Sequence, residues 1–575
     1  MQLAVLSPDD ATRYRQIFDD ERSGKFADAD ALAAQLSDKS LMGYVEAEHY
    51  LSPTSTASES ELIGWMSQYG DTGMAPRIYA LAVRRASVPV RKHHRVVAVR
   101  VTANVPSPSA MPRLPGGGYE DYDFTGSDVS AGARATQAQI ETAIRADQPA
   151  QADAALQALA ASGSAYQSDV AKLSQRVAQS YIAEGKDFEA FDVTSRVSGF
   201  NRDSAPMLDW WGGLAAYRMG KFDIAAQHFE KLSKQGSVVN WTRAQAAFWA
   251  ARAYLANGQD EYVIPLLQAA AKEQPTFYGL LAEQALGQDT QTGFRDPAVD
   301  PAALARLMQN PAAHRALAAY QVGYTEPLRV EMARALATMD YNSSETYAAC
   351  ARAMDLPDLE LRASEMAASK GEKLTGLFPV PRYQPPGGYH IDPSLVLAFV
   401  RIESKFQAKA VSGAGARGLM QVMPQTARLI DGDSSASAMT DPSYSLGLGQ
   451  TYLSQLLDQM NGNLYNVAAS YNAGPGAVWK WMDAKRHDDA LLYIESIPVS
   501  ETRNYIKKLM TYYWLYSRRN NEPTATLTQA AAGDWPKYKR EMPTATPAPQ
   551  PPPAQAAPPA QAQPATTIVS DAALH

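Results

Sequence analysis

The sequence predicts an all-α protein in which a solenoid of stacked helix pairs precedes a second, mostly helical domain. Three observations lead to this prediction. Residues 134–290 are rich in alanine and strongly helical in pattern, and tyrosine–glycine pairs recur within them every 36 or 37 residues. Residues 393–406 then carry apolar side chains at the spacing of a buried helix face. At 575 residues, the chain is long enough for three or four domains.

The N-terminal part, residues 1–100, carries helix signals from its start. Pro8 followed by Asp9 and Asp10 is typical of a first helical turn, and further helical segments follow at 29–36 and 59–69. Residues 101–133 are rich in proline and glycine and are predicted to form a loop or linker. The basic residues at 91–95 fit a solvated face better than a site for an anionic polymer, and both interpretations stay open.

The repeat lies in the next segment, residues 134–290. Each tyrosine–glycine pair closes one helix, and the pairs are Tyr181 with Gly185, Tyr217 with Gly220, and Tyr254 with Gly258. The stretch from Trp211 to Phe229 resembles a tetratricopeptide unit, imperfectly. A period of about 34 residues is typical of helix pairs that bury their faces against their neighbours. A plain helical bundle with chance spacing is the alternative.

A single carboxylate stands out in the last third of the chain. Asp392 and Pro393 form a helix start, and apolar residues follow at Leu395, Phe399, Ile402 and Phe406. Glu403 lies about 40° off the edge of that stripe, at roughly 100° per residue. Burial at a core boundary raises a carboxyl pKa, so such a group can hold a proton near neutral pH. The alternative is a solvated Glu403 paired with Arg401 or Lys405.

Polar and aromatic residues follow Glu403 in three short segments. Residues 412–418 are small and glycine-rich, and residues 419–424 are apolar apart from Gln421. Residues 468–476 place Tyr471 and Asn472 at the end of an apolar helix. Aromatic faces and amides together suit the recognition of sugars. Residues 493–505 then lead into another helix.

These segments together resemble the catalytic domain of soluble lytic transglycosylases. The resemblance covers residues 376–520 and includes Glu-Ser, Gly-Leu-Met-Gln-x-Met-Pro, Tyr-Asn-Ala-Gly-Pro-Gly and Glu-Thr-Arg-x-Tyr, in this order. It implies a lysozyme-like, mostly α fold for this domain. It also implies that the TPR-like superhelix takes in residues 1–100 and 134–290, and that 291–375 form a helical linker domain. Independently of the resemblance, the Pro/Ala-rich composition of residues 521–575 predicts a disordered tail.

The resemblance also assigns roles to single residues. Glu403 is expected to be the sole catalytic acid and base. The residues expected to bind the glycan are Ser412, Gln421, Met423, Tyr471, Asn472, Glu495 and Tyr505. Each has a structural alternative: Met423 fits a core position better than direct sugar contact, Asn472 suits a turn, and Ser412 and Gln421 could serve the backbone.

The reaction expected from the resemblance is non-hydrolytic cleavage of the MurNAc-β-1,4-GlcNAc bond of peptidoglycan, which leaves 1,6-anhydroMurNAc ends. Most glycosidases pair two carboxylates, whereas Asp431, Asp433 and Asp441 lie in no recognisable partner motif. The residues alone also permit a lysozyme-type muramidase. A non-catalytic scaffold that grips glycan is a third interpretation.

The composition excludes several other classes. The net charge of −7 gives no reason to expect nucleic acid as a partner, and no run of 18 apolar residues predicts a transmembrane segment. Cys350 is the one cysteine, and the histidines form no zinc-ligand pattern, so we expect neither a disulfide nor a metal or other cofactor. The first ten residues do not have the pattern of a signal peptide. The expected substrate nevertheless places the protein in the periplasm, where the superhelix could contact cell-wall or envelope proteins.

Overall fold

The computed structural model describes residues 3–85, 87–92, 95–100, 105–110, 129–197, 199–288, 293–432, 434–484 and 488–539. Within these ranges the protein is almost entirely helical, so the predicted all-α class is confirmed. The exception is one two-stranded antiparallel hairpin, which pairs β1 (Ser87–Lys92) with β2 (Arg95–Arg100). This hairpin follows the N-terminal helices, in a stretch that the sequence analysis treated as helical.

Five helices form the N-terminal part: α1 (Pro8–Arg22), α2 (Phe26–Ala33), α3 (Met42–Leu51), α4 (Glu59–Tyr69) and α5 (Ala75–Arg85). Local capping fixes their starts. Ser7 accepts a hydrogen bond from the backbone of Asp10 at the head of α1. Ser58 and Glu61 form a reciprocal capping box at the head of α4.

Nine helices follow in the alanine-rich segment: α6 (Arg134–Arg145), α7 (Pro149–Ser162), α8 (Gln167–Ala183), α9 (Asp187–Ser195), α10 (Met207–Arg218), α11 (Phe222–Ser233), α12 (Asn240–Ala256), α13 (Val263–Lys272) and α14 (Phe277–Ala285). Gly185, Gly220 and Gly258 all adopt φ between 71° and 75°, directly after α8, α10 and α12. A left-handed residue at this place is the common glycine stop of a helix. The repeated sequence pairs therefore mark three equivalent helix ends.

The five helices that follow pack with the N-terminal ones: α15 (Pro301–Met308), α16 (Pro311–Val322), α17 (Leu328–Thr338), α18 (Ser344–Ala353) and α19 (Pro357–Ala368). Buried residues of α1–α5 and α15–α19 form one hydrophobic cluster. A polar link joins the two groups, because Gln321 accepts hydrogen bonds from the backbone N–H groups of Val5 and Leu6. The segments predicted to be the start of the superhelix (1–100) and a linker domain (291–375) thus share a hydrophobic core. The spacing of residues in the sequence could not reveal this contact.

The last group comprises α20 (Pro393–Ser404), α21 (Pro424–Ile430), α22 (Pro442–Gln459), α23 (Leu464–Ala473), α24 (Pro475–Ala484), α25 (Ala490–Ser496), α26 (Ser500–Arg519) and α27 (Ala525–Ala531). These helices share a hydrophobic core with α6–α14. Phe277 of α14 stacks on Trp514 of α26, with ring centroids 5.4 Å apart. Arg252 of α12 pairs with Asp489 at 2.6 Å.

The chain remains ordered beyond residue 521, where the sequence analysis placed the start of a disordered tail. Pro536 accepts a hydrogen bond from the backbone of Leu464, and Tyr538 donates its backbone N–H to Gly462. The Trp535 ring packs against Tyr493, with centroids 5.0 Å apart. The tail prediction is therefore wrong for residues 521–539, because aromatic side chains anchor them. Residues 540–575, which hold the proline-rich run, lie outside the described residues.

No helix in the described ranges combines the length and apolar character needed to cross a bilayer.

Candidate active site

Glu403 stands in the last turn of α20. Asp392 caps the start of this helix by accepting a hydrogen bond from the Ser394 backbone at 2.8 Å, and Pro393 occupies the first helical position. The helix ends where Lys405 takes a left-handed conformation, with φ at 49°. Phe406, which the sequence analysis placed on the same helical stripe, is buried but lies just beyond the helix end. The helix therefore holds Glu403 at a fixed position on a rigid element.

The carboxyl group of Glu403 is half-buried, and burial raises its pKa to about 7. Two neighbours act in opposite directions. Tyr505 donates a hydrogen bond of 2.5 Å to Glu403 Oε1 and lowers the pKa, whereas the negative charge of Glu501 raises it. Since desolvation is the largest influence, Glu403 can hold a proton near neutral pH and release it again.

An aromatic cluster borders this carboxyl group. The Tyr471 ring packs against Phe399 and Tyr452, with centroid distances of 4.6 and 5.3 Å. Its hydroxyl donates a hydrogen bond of 2.7 Å to the Met420 carbonyl. Burial and the Glu403 charge raise the pKa of Tyr471 and of Tyr505 well above the ordinary value. Both phenols therefore remain protonated hydrogen-bond donors.

Asn472 joins the end of α23 to the start of α26. Its Oδ1 accepts a hydrogen bond of 2.7 Å from the Thr502 hydroxyl. Its Nδ2 lies 3.4 Å from Glu501 Oε1, a long hydrogen bond. Asn472 thus connects the turn that follows Tyr471 with the first turn of the helix that carries Tyr505.

The glycine-rich turn is held by its own polar side chains. Gln421, with φ at 47°, donates its amide to the carbonyls of Ala410 and Gly418, at 3.1 and 2.9 Å. Ser412 is exposed, and its hydroxyl accepts a hydrogen bond from the Ala416 backbone at 3.0 Å. In the structure, both predicted glycan ligands therefore support the backbone of the turn.

Met423 lies on the surface, directly before α21. Its exposed fraction is 41%, so the interpretation of Met423 as a core residue is wrong. The backbone explains the exposure, because Met423 is the N-cap residue of α21, outside the buried face of that short helix. An exposed thioether next to the glycine-rich turn is available to a ligand.

The structure does not bring Glu495 to the cleft. This carboxylate is 1% exposed and accepts hydrogen bonds from Tyr278 at 2.6 Å and from Lys507 at 2.9 Å. Lys507 also contacts Gln245 at 3.3 Å. Glu495 therefore belongs to the contact between α26 and the repeat helices α12 and α14. The predicted contact of Glu495 with glycan has no support from this position.

Two residues of the site, Glu501 and Tyr452, were not predicted from the sequence. Glu501 precedes Tyr505 by one helical turn, so this spacing could have placed both on one face of α26. Tyr452 lies on α22, and no spacing links it to Tyr471. The other acids serve the fold: Asp441 caps α22 and accepts a hydrogen bond from the Tyr444 backbone at 2.9 Å, and Asp431 accepts one from the Tyr444 hydroxyl at 2.6 Å. Asp433 lies outside the described residues.

Among the residues that the structure describes, no cluster of histidine, cysteine and carboxylate side chains could hold a metal ion. The candidate site therefore consists of one acid of raised pKa, two tyrosines, and a rim formed by Asn472, Glu501 and the glycine-rich turn. Such a site can transfer a proton to a poor leaving group and take one back.

Comparison with known proteins places Glu403, Tyr471 and Asn472 in a recognised domain, whereas Glu501 and Tyr505 lie just beyond the matched range. Residues 385–494 match the family model described as the transglycosylase SLT domain. The soluble lytic murein transglycosylase of Escherichia coli K12 is 31% identical over 287 residues, which cover 47% of this chain and 43% of that protein. The chain thus matches less than half the length of this curated relative. The membrane-bound lytic murein transglycosylase C of Actinobacillus pleuropneumoniae is 35% identical over 147 residues, covering 21% of this chain and 40% of that protein.

Solved structures show the same fold over most of the chain. An inactive mutant of the lytic transglycosylase Slt from Pseudomonas aeruginosa aligns with a TM-score of 0.53 and 22% identity, covering 90% of this chain and 74% of that one. The 70-kDa soluble lytic transglycosylase in its complex with bulgecin A aligns with a TM-score of 0.52 and 19% identity, covering 92% and 99%. At these identities the likeness concerns the fold.

Proposed function

We propose that this chain, whose residues 385–494 match the transglycosylase SLT domain, is a lyase that cleaves peptidoglycan glycan strands. The proposed bond is MurNAc-β-1,4-GlcNAc, and the proposed product is a 1,6-anhydroMurNAc end. The observation that carries the proposal is the protonatable Glu403 carboxyl, with a pKa of about 7 and a tyrosine at 2.5 Å.

In the first step, protonated Glu403 gives its proton to the glycosidic oxygen as the C1–O bond breaks. At neutral pH roughly half of the molecules carry this proton if the pKa is about 7. The departing sugar leaves with a free hydroxyl, and positive charge develops at C1 of the muramic residue. The N-acetyl group of the same sugar can assist at C1.

In the second step, Glu403 acts as a base. Its carboxylate takes the proton of the muramic C6 hydroxyl while O6 forms a bond to C1, which closes the anhydro ring. The Tyr505 hydroxyl stabilises the carboxylate between the two steps by donating to Oε1. The nucleophile belongs to the substrate and gains from proximity, so the reaction consumes no water.

A lysozyme-type hydrolase is the second candidate, and Glu501 is the observation that favours it. Glu501 is a second carboxylate whose charge acts on Glu403. However, it is exposed and hydrogen-bonded to Asn472 on the rim. An exposed carboxylate is poorly placed to hold a nucleophile away from bulk water. We therefore prefer the intramolecular reaction.

The proposed ligands differ in how their positions support contact with glycan. Tyr471, Asn472 and Tyr505 border Glu403 or its rim, and Met423 is exposed at the turn. Ser412 and Gln421 support the turn and would act through its shape. For the whole chain we propose a periplasmic location, where glycan strands are found, and a superhelical surface that contacts strands or envelope proteins.

The test is digestion of purified sacculi, with mass analysis of the released muropeptides. Anhydro ends, lighter than reducing ends by the mass of one water, support the lyase. Hydrated reducing ends show a muramidase, and intact sacculi with bound protein show a scaffold. The Glu403→Gln variant is expected to keep the fold and bind sacculi, and to lose turnover by at least ~10²-fold, because proton transfer is removed. Comparable turnover in this variant would overturn the assignment.

A further inference from the structure

A charged cavity lies away from the Glu403 site, where α18, α19 and the end of α26 meet the segment before α20. Its volume is about 240 Å³. This is below the roughly 300–1,000 Å³ of pockets for drug-sized ligands and suits a smaller molecule. Its charged lining contains three guanidinium and three carboxylate groups, namely Arg352, Arg382, Arg519, Asp296, Asp355 and Glu360.

One of the three guanidinium groups is already neutralised within the protein. Arg352 bonds Glu360 at 2.7 Å and Asp296 at 2.6 Å, and it also donates to the Thr375 hydroxyl at 2.6 Å. Glu360 is 5% exposed on its side chain, whereas Asp296 is 76% exposed. This triad carries one positive and two negative charges and therefore leaves one negative charge on the cavity wall.

The other two guanidinium groups form no ion pair among the described residues, although the charges of Glu360 and Asp296 act on Arg519 from a greater distance. Arg519 forms no ion pair, and its Nε is buried without a hydrogen-bond acceptor. Arg382 donates to one neutral acceptor, the Ala353 carbonyl, at 3.2 Å. A buried donor on a charged group is unfavourable when it has no acceptor, so such a donor points to a ligand that supplies one.

A negative group with no cation of its own lies on the same wall. Asp355, with φ at 56°, accepts a hydrogen bond of 3.1 Å from the Arg382 backbone N–H and forms no ion pair in the described chain. The start of α19, with its partial positive charge, and the end of α26, with its partial negative charge, both border the cavity. Their effects on a bound ligand therefore oppose each other. The side chains therefore decide which ligand fits.

From this pattern we propose that the cavity binds a small zwitterion of the α-amino acid class. The carboxylate of the ligand would accept hydrogen bonds from the guanidinium groups of Arg519 and Arg382, because a planar guanidinium matches a carboxylate in two-point geometry. Its ammonium would face Asp355 and the exposed Asp296. A simple anion would leave the cavity with an extra negative charge, whereas a zwitterion preserves the balance of three positive and three negative groups. The proposal does not rest on the function proposed for Glu403.

The test uses the full chain and saturation-transfer NMR titration, which needs no enzymatic activity. The probes are D-alanine and L-alanine, with acetate and methylammonium as single-charge controls at equal ionic strength. We expect at least one alanine enantiomer to bind at least tenfold more tightly than either control. Arg519→Met is expected to raise its Kd at least tenfold, whereas Arg306→Met on the exposed face of α15 should leave it unchanged.

Arg382→Met serves as a second variant if Arg519→Met unfolds, because Arg382 is exposed and its removal breaks one bond to a carbonyl. It too should raise the Kd. Acetate that binds as tightly as alanine would overturn the zwitterion assignment, as would alanine binding that survives both variants. Absence of saturable binding by any probe would overturn the site.

Discussion

At the scale of single residues, the protonation of Glu403 depends on desolvation and on two side chains from α26. Tyr505 stabilises the ionised carboxylate and Glu501 destabilises it. Because both lie on one helix face, one turn apart, α26 sets the acidity of a group that α20 carries. The acid itself was predictable from the apolar stripe and the Asp-Pro start. Its neighbours were not, since they come from a helix about 100 residues later.

Removing the Tyr505 hydroxyl is expected to raise the pKa of Glu403. The hydrogen bond favours the charged form, so the Tyr505→Phe variant keeps the acid protonated to higher pH. The alkaline limb of the pH–activity profile should move upward, while the rate at its optimum falls because the carboxylate loses a donor in the second step. The measurement is the rate of muropeptide release across pH 5–9. A limb that moves downward would contradict the assigned contact.

The Glu501→Gln variant should shift the same profile in the opposite direction. The negative charge of Glu501 disfavours ionisation of Glu403, so its removal lowers the pKa of Glu403 and moves the alkaline limb downward. Glu501 is exposed, and added salt should therefore reduce the difference between variant and wild type. An unchanged limb at low ionic strength would remove Glu501 from the site.

Glu403 also makes the folded state sensitive to pH. Its folded pKa of about 7 lies above the unfolded value of 4.5, so the stability linked to its protonated form is fully present below pH 4.5 and is lost as pH rises through 7. The Glu403→Gln variant does not titrate and should gain stability relative to wild type over this window, by about 1–3 kcal/mol at pH 8. Urea unfolding at pH 4.5 and at pH 8 measures the gain. An equal difference at both pH values would mean that Glu403 is not desolvated.

At the scale of elements, the features that local chemistry specifies could be predicted and the others could not. The start of α20 follows from Asp392 and Pro393, and the ends of α8, α10 and α12 follow from their glycines. The β1–β2 hairpin and α27 did not stand out, because short segments there carry no clear period. The order of residues 521–539 depends on Trp535 and Tyr538, whose partners lie on distant helices.

The glycine-rich turn beside Glu403 contains one glycine that packing requires and one that it does not. A Cβ on Gly418, which has φ at 77°, would lie 2.0 Å from the Met439 carbonyl oxygen and 2.5 Å from Ser445 Oγ. Gly413 has open space around it. Gly418→Ala is therefore expected to destabilise the protein by more than about 2 kcal/mol, and Gly413→Ala by less than about 1 kcal/mol. Urea unfolding of the matched pair checks this, and equal losses would contradict the close contact.

At the scale of the whole molecule, the catalytic helices are fixed to the repeat helices through α26. One side of this helix carries Tyr505 toward Glu403, and Lys507, two residues on, is buried against α12 and α14. Phe277 stacks on Trp514 farther along the same helix, and Arg518 bonds Glu283 of α14 at 3.2 Å. Because one rigid element serves both contacts, disturbance of the repeat contact should reach the active site.

The buried pair of Lys507 and Glu495 allows this coupling to be tested. Lys507→Met leaves Glu495 without its cation in a site that is 1% exposed, and we expect a loss of about 3–5 kcal/mol in the free energy of unfolding. The double variant Lys507→Met with Glu495→Gln removes both charges and keeps an acceptor for the Tyr278 hydroxyl, so it should recover most of the loss. Lys480→Met, at an exposed position on α24, is the control and should change little.

If α26 couples the two regions, Lys507→Met should also lower turnover and displace the alkaline limb of the pH–activity profile, which depends on Tyr505. The double variant should restore both. A Lys507→Met protein that loses stability but keeps the wild-type pH profile would show that the repeat helices support the catalytic helices without positioning Tyr505.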